Sequence, residues 1–302
     1  MTLLYDGISE IAKRHKAEFS RKEPLSKYTT FHIGGSCDAL VKPNSSACIS
    51  EIFAACKKEK IPTYLIGRGS NLLVSDRGLR GLVIVLSDAF SEVTSDGERL
   101  LCCAGASLNK ICVIARELSL TGLEFAYGIP GTIGGALYMN AGAYGGEMKD
   151  VVEFCEYLDE KNEIKRMTAG EMKLSYRKSV FSEKKYPILR VSLKLKRGDR
   201  DAIADRMSEL MAKRRNSQPL EYPSAGSTFK RPVGDYAARL IEASGLKGYT
   251  CGGAAVSEKH SGFIVNLGDA TSADVLNVVA AVKEKVFRDS GVRLECEMMI
   301  LE

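Results

Sequence analysis

Fourteen of the 28 glycines fall between Gly67 and Gly146, a small part of a 302-residue chain. Glycine tolerates left-handed backbone and lets a main chain approach a neighbour or a ligand closely, but it weakens the interior of a helix or strand. A window this rich must therefore be built around irregular loops. Three stand out. Gly67-Arg68-Gly69-Ser70-Asn71 follows the strand-like run Thr63–Ile66. A dinucleotide fingerprint would need glycine at position 72, where Leu72 stands, and no helix pattern follows, so a Rossmann loop is excluded. The segment alone does not choose between a plain turn and an anion-binding nest of N–H groups.

The second loop is Gly128-Ile129-Pro130-Gly131-Thr132-Ile133-Gly134-Gly135-Ala136. Pro130 fixes φ, and the small residues open an apparent helix over Thr132–Asn140, whose N-terminus would favour phosphate. No Lys follows the loop, so a P-loop NTPase is unsupported. Asn140-Ala141-Gly142-Ala143-Tyr144-Gly145-Gly146 is the third. Three such loops favour a diphosphate-containing cofactor over turn chemistry alone.

Composition narrows the class. Charged residues make up 27% and hydrophobic ones 45%, the balance of a globular protein. The longest aliphatic run, Leu82–Leu86, is far short of the ~20 residues of a membrane span. The mixed charges of Asp6, Glu10, Lys13 and Arg14 give no signal-peptide core, so a cytoplasmic location is expected. Net charge is only +5, there is no Trp, and the longest basic run is Lys213-Arg214-Arg215. That suits an anionic small molecule and not nucleic acid. Nine cysteines without a CxxC pair read as reduced, buried thiols, and three histidines without HExxH predict no metal site.

Periodicity predicts helices over residues 2–16, Ser46–Lys58, Ser107–Leu118, Asp201–Arg214, Asp235–Ser244 and Ser272–Ser290. Strands are expected at residues 39–42, Thr63–Ile66, Leu72–Val74, Leu82–Leu86, Leu100–Ala104, Val151–Asp159, Glu163–Met167, Ile188–Lys196, Phe263–Asn266 and Arg293–Leu301. The charged helix 199–215 and the turn-rich Asn216–Tyr222 mark a domain joint near residue 200.

Outside the glycine window, single residues are ambiguous. Ser227 in Gly226-Ser227-Thr228-Phe229-Lys230 does not fit the GxSxG hydrolase elbow and reads in isolation as a capping turn. Arg177 reads in isolation as a surface ion pair. Glu295 and Glu297 stand two apart on the expected last strand and would share its solvent face. His260, the one histidine of the second half, reads as structural.

Taken in order, these segments carry a resemblance. Residues 28–35 (Tyr28-Thr29-Thr30-Phe31-His32-Ile33-Gly34-Gly35), the 67–73 and 128–135 loops, Tyr176-Arg177, the 226–230 segment, the 252–266 run and Leu294-Glu295-Cys296-Glu297 resemble the UDP-N-acetylenolpyruvoylglucosamine reductase family. Each motif is weak alone; seven in sequence are specific, and they span about residues 25–300. The chain resembles the compact subtype that lacks a Tyr-loop insertion.

The resemblance implies an α+β fold. A two-lobed FAD-binding domain of the vanillyl-alcohol-oxidase (PCMH) type would span 1–200, with its core at about 31–197. A smaller α+β substrate-binding domain would span 201–302, its last strand (about 293–302) returning to the first domain. It implies non-covalent FAD, NADPH as hydride donor, a UDP-sugar substrate and a monomer with no nucleic-acid or membrane partner. Arg177, Ser227 and Glu297 match the family's catalytic residues: Arg177 would stabilise charge on the enolpyruvyl carboxylate, Glu297 would assist, and Ser227 would protonate C2. The cofactor would be held by Thr30, Gly67, Arg68, Gly69, Ser70, Asn71, Leu72, Gly128, Ile129, Pro130, Gly131, Thr132, Gly134, Gly135, Asn140, Ala141, Gly142 and Ala143. Arg215, Arg231 and His260 are assigned to the UDP part, and Lys230 to the substrate as a helper of Ser227. Arg231 stands where the family pattern has Asn, and Arg is itself a good phosphate ligand. The competing readings are another FAD oxidoreductase on the same fold and a nucleotide-binding protein without catalysis.

Overall fold

A computed structural model describes residues 3–302, which form two compact units. The first comprises the chain up to Arg21, Ala39–Arg68 and Gly81–Lys213; the second comprises Lys22–Asp38, Gly69–Arg80 and Arg214–Glu302.

The first unit is built on two sheets. One runs in the order Glu18–Arg21, Cys37–Lys42, Leu79–Val85, Thr63–Ile66, with the first pair antiparallel and the last parallel. The other is antiparallel throughout, in the order Ile164–Thr168, Val152–Leu158, Ile188–Lys194, Arg99–Cys103, Val93–Asp96. All but one residue of Leu79–Val85 are buried, which explains why it reads as an unbroken apolar run and not as an alternating one. Helix Ser46–Lys58 begins where the Ser45 hydroxyl accepts from the Cys48 N–H at 3.2 Å, and it buries Cys48, Ile49, Ile52 and Cys56 along one stripe. Helix Leu108–Glu117 is capped in the same way by Ser107, as expected.

The second unit carries an antiparallel sheet in the order Ser224–Ser227, Phe263–Asn266, Ala254–Val256, Thr250–Cys251. Helix Ser272–Ser290 covers it, burying Val275, Val278, Val279, Val282 and Val286. A Thr271–Asp274 capping box starts this helix, and Gly291 in left-handed backbone (φ 73°) ends it. Phe31, Ile33 and Leu73, distant in sequence, complete this unit's core.

Several expectations change. The helix expected over 2–16 is Asp6–Arg14, after a short 3-10 turn at Leu3–Tyr5; Thr2 lies outside the described residues. The joint falls between Lys213 and Arg214, inside helix Arg200–Ser217 and not near 200. Residues 22–38 and 69–80 count with the C-terminal unit, because unit membership follows long-range pairing that local composition does not encode. The strand expected over Arg293–Leu301 is only Met299–Leu301, which pairs in parallel with Leu72–Val74. Upstream of it the chain runs along 228–230: the Lys230 N–H donates to Glu295 O (2.9 Å), and the Glu297 N–H donates to Thr228 O (2.9 Å). The shared solvent face for Glu295 and Glu297 is therefore lost. Glu295 is exposed and paired with Lys230, whereas Glu297 is half-buried.

Candidate active site

In the first unit Gly67 meets the second glycine loop. A side chain at Gly67 would bring its Cβ to 2.5 Å from Thr132 Oγ1, so glycine lets the chain here lie against the start of helix Ile133–Tyr138. Thr132 caps that helix, its hydroxyl accepting from the Gly135 N–H at 3.3 Å. The neighbouring amides are also engaged. Ile133 N–H donates to Ala106 O (2.8 Å), Gly134 N–H to Ala104 O (3.0 Å), and Gly128 N–H to the Asn109 side chain (2.7 Å). At the start of this helix the amides of Ile133, Gly134 and Gly135 thus have protein acceptors, and among the described residues that of Thr132 has none.

The 67–71 turn differs. Gly69 is held at φ 62°, and a Cβ there would lie 2.2 Å from Tyr28 O. Gly69 and Asn71 accept from Thr30 and Met299 N–H groups. Among the described residues, no protein acceptor takes the amides of Arg68, Gly69, Ser70 and Asn71. Successive amides left open in one turn are what an anionic group requires. The 67–71 turn thus leaves successive amides open, whereas the 128–135 loop engages most of its own.

Thr30 joins this turn to the second unit's sheet: its N–H reaches Gly69 O at 3.4 Å, and its hydroxyl donates to Ser224 O at 2.6 Å. Strand Ser224–Ser227 shifts register against Phe263–Asn266 between Ser224 and Ser227, a bulge that leaves Ser227 exposed. Among the described residues, the Ser227 hydroxyl has no hydrogen-bond partner. The Glu297 amide binds the carbonyl of Thr228, next to Ser227, and Asn71 Nδ2 donates to Glu297 O at 3.2 Å. Ser227, Glu297, Thr30 and the 69–72 segment therefore form one neighbourhood.

The remaining residues scatter. Lys230 Nζ pairs with Glu295 at 3.2 Å, an exposed contact, and not with Ser227. Arg215 is exposed on its helix; the preceding Arg214 is the buried one and donates to Gln218 at 3.0 Å. Arg231 stacks 4.6 Å over the Tyr236 ring. His260 accepts from the Gly262 N–H through Nδ1 at 3.1 Å and packs edge-on to Phe263; burial lowers its pKa. Asn109, which fixes Gly128, was not legible as a site residue, since it stands on an otherwise ordinary amphipathic helix.

Arg177 lies in the first unit on a tight turn. Ser175 and Lys178 exchange both backbone hydrogen bonds (3.0 and 3.1 Å), and Arg177 between them has φ 53°. Its guanidinium reaches Gly142 O at 3.4 Å and lies 5.0 Å from the Tyr176 ring centroid. Among the described residues eleven non-glycine residues share this left-handed backbone, so it sets the shape of the turn and does not by itself mark a site. Asn140 is fully buried, and its side-chain amide is engaged by Glu147, Ser175 and Lys149, so the side chain faces protein.

Among the described residues, no cluster of three His, Cys, Asp or Glu is placed to hold a metal, and no helix is long and apolar enough to cross a membrane.

Comparison with known proteins bears on this arrangement. Residues 37–168 match the model of an FAD binding domain, and residues 218–301 match the C-terminal domain of UDP-N-acetylenolpyruvoylglucosamine reductase. The reductase of that name from Caldanaerobacter subterraneus subsp. tengcongensis is 50% identical over 299 residues, 99% of this chain and 98% of its own. That of Listeria innocua is 46% identical, covering 92% of this chain and 93% of its own. The crystal structure of the UDP-N-acetylenolpyruvylglucosamine reductase of Thermus caldophilus superposes with a TM-score of 0.80 at 35% identity, over 95% of this chain and 99% of that one. The α+β fold with an FAD-binding domain expected above is the fold found. Matched along nearly its whole length, and in both of its halves, this flavin-dependent oxidoreductase belongs to the UDP-N-acetylenolpyruvoylglucosamine reductase family.

Proposed function

We propose that the chain uses NADPH to reduce the enolpyruvyl ether of UDP-N-acetylglucosamine enolpyruvate, giving UDP-N-acetylmuramate for peptidoglycan synthesis in the cytoplasm, and that it acts as a monomer. The observation that carries this reading is the backbone pairing of 228–230 with 295–297, which brings the Glu297 segment beside Ser227. FAD, when bound, would supply a two-electron carrier between NADPH and the substrate. The open amides of Arg68–Asn71 would hold the FAD diphosphate.

The chain's own residues do the rest. Adding hydride at C3 builds negative charge at C2, which spreads onto the adjacent carboxylate. The permanent charge of Arg177 stabilises that enolate more than the ground state, so the gain appears in the rate. Ser227 donates its hydroxyl proton to C2, and its exposure at a bulge suits delivery to a bound ligand. Glu297 supports the same polarisation. The second unit, containing Arg215, Lys230, Arg231 and His260, takes the UDP part.

The test separates the half-reactions. Ser227→Ala, loaded with FAD and studied anaerobically, is expected to bleach with NADPH at the wild-type rate. Recovery of colour on adding the enolpyruvyl sugar is then expected to fall by about 100-fold or more. Equal loss in both steps would remove Ser227 from the proton-donor role.

A further inference from the structure

We propose that Asn140 is the positioning residue for Arg177, an inference that rests on the catalytic role proposed for Arg177. Asn140 is completely buried with φ 42°. Its Nδ2 donates to Glu147 Oε2 at 2.6 Å and to Ser175 O at 3.0 Å, and its Oδ1 accepts from the Lys149 N–H at 2.9 Å. Two acceptors face one end of the side chain and one donor faces the other, a pattern that only a carboxamide satisfies. Aspartate has the shape but no donors, and it would set a second carboxylate against Glu147.

The Ser175 carbonyl is the atom on which the Arg177 turn closes. It accepts from Lys178 N–H and from Asn140 at once. The far side of the turn is tied to the same stretch, through the Ser179 hydroxyl donating to Tyr138 O at 2.7 Å. The guanidinium itself leans on Gly142 O, two residues beyond Asn140. Segment 138–142 thus sets both the turn and the direction of its cation. Asn140 and Ser179 are the buried polar side chains that hold this left-handed turn in place. Releasing the Ser175 carbonyl lets Arg177 drift from the charge it is meant to meet, and an ångström of drift costs about 100-fold in rate.

The experiment is a double-mutant cycle with Asn140→Asp and Arg177→Ala in the FAD-loaded protein, following each half-reaction and backbone hydrogen exchange. Asn140→Asp is expected to leave flavin reduction by NADPH unchanged and to slow reoxidation by UDP-N-acetylglucosamine enolpyruvate about 100-fold. Added to Arg177→Ala, it is expected to slow reoxidation no further. Exchange is expected to quicken at the amides of Ser175 and Lys178 while helix Leu108–Glu117 keeps its protection. An equal effect of Asn140→Asp with and without the Arg177 side chain would overturn the proposal, as would unchanged exchange at the turn. An Arg177→Ala variant that reoxidises normally would remove the role of Arg177 itself, and the proposal with it, by a separate result. If Asn140→Asp does not load FAD, Asn140→Ser, which retains one donor, enters the same cycle.

Discussion

The contact between Gly67 and Thr132 makes a signed prediction about how two loops 65 positions apart depend on each other. Gly67→Ala places a methyl group 2.5 Å from Thr132 Oγ1 and 3.2 Å from its Cγ2. The backbone at Gly67 is outside the left-handed region, so the cost is steric alone, about 1–3 kcal/mol for an overpacked site. Thr132→Ala removes the hydroxyl that caps helix Ile133–Tyr138 and costs about 1 kcal/mol. If the two changes were independent, their sum would be about 2–4 kcal/mol. The structure says otherwise. Thr132→Ala deletes the two atoms that the new methyl group strikes, leaving Cβ at an ordinary 3.4 Å. The double variant is therefore expected to lose only about 1 kcal/mol, a coupling of about 1–3 kcal/mol in the favourable direction. Urea unfolding of the four proteins, compared by midpoint at constant m, measures it. Additivity within about 0.5 kcal/mol would refute the contact.

Two further outcomes follow from titrating groups. Burial lowers the pKa of His260 below its usual 6.5, so the unfolded chain takes up a proton more readily than the folded one. Stability from this group is complete above pH 6.5 and falls as the pH drops through that value; His260→Gln is expected to flatten urea midpoints between pH 7.5 and 5.5, and an unchanged slope would contradict the burial. Of the nine thiols seven are buried, and burial pushes Cys102 and Cys155 up to about 12 and Cys37 up to about 11. Alkylation of the native protein, read by peptide mass spectrometry, is expected to modify Cys251 and Cys296 first, with the others reacting only after denaturation.

Helix Ser272–Ser290, strand Thr63–Ile66 and the cap Ser107 were legible in the sequence residue by residue. Each depends on apolar spacing within a few turns or on a hydroxyl three residues from the amide it satisfies. The order of seven short motifs likewise carried the family, and with it the cofactor, because order survives whatever the loops do in space. What depended on distant partners was not legible. Arg293–Leu301 has the composition of one strand, yet only Met299–Leu301 finds an edge, at Leu72–Val74; the rest follows 228–230. The loops at 67–71 and 128–135 look alike in glycine content, but Ala104, Ala106 and Asn109 fill amides of the second and leave those of the first open. Asn140 reads only as part of a glycine-rich loop, because its side-chain partners Glu147, Lys149 and Ser175 meet it only in the fold. A sequence records which donors and acceptors a chain possesses; only tertiary structure decides which of them are already taken.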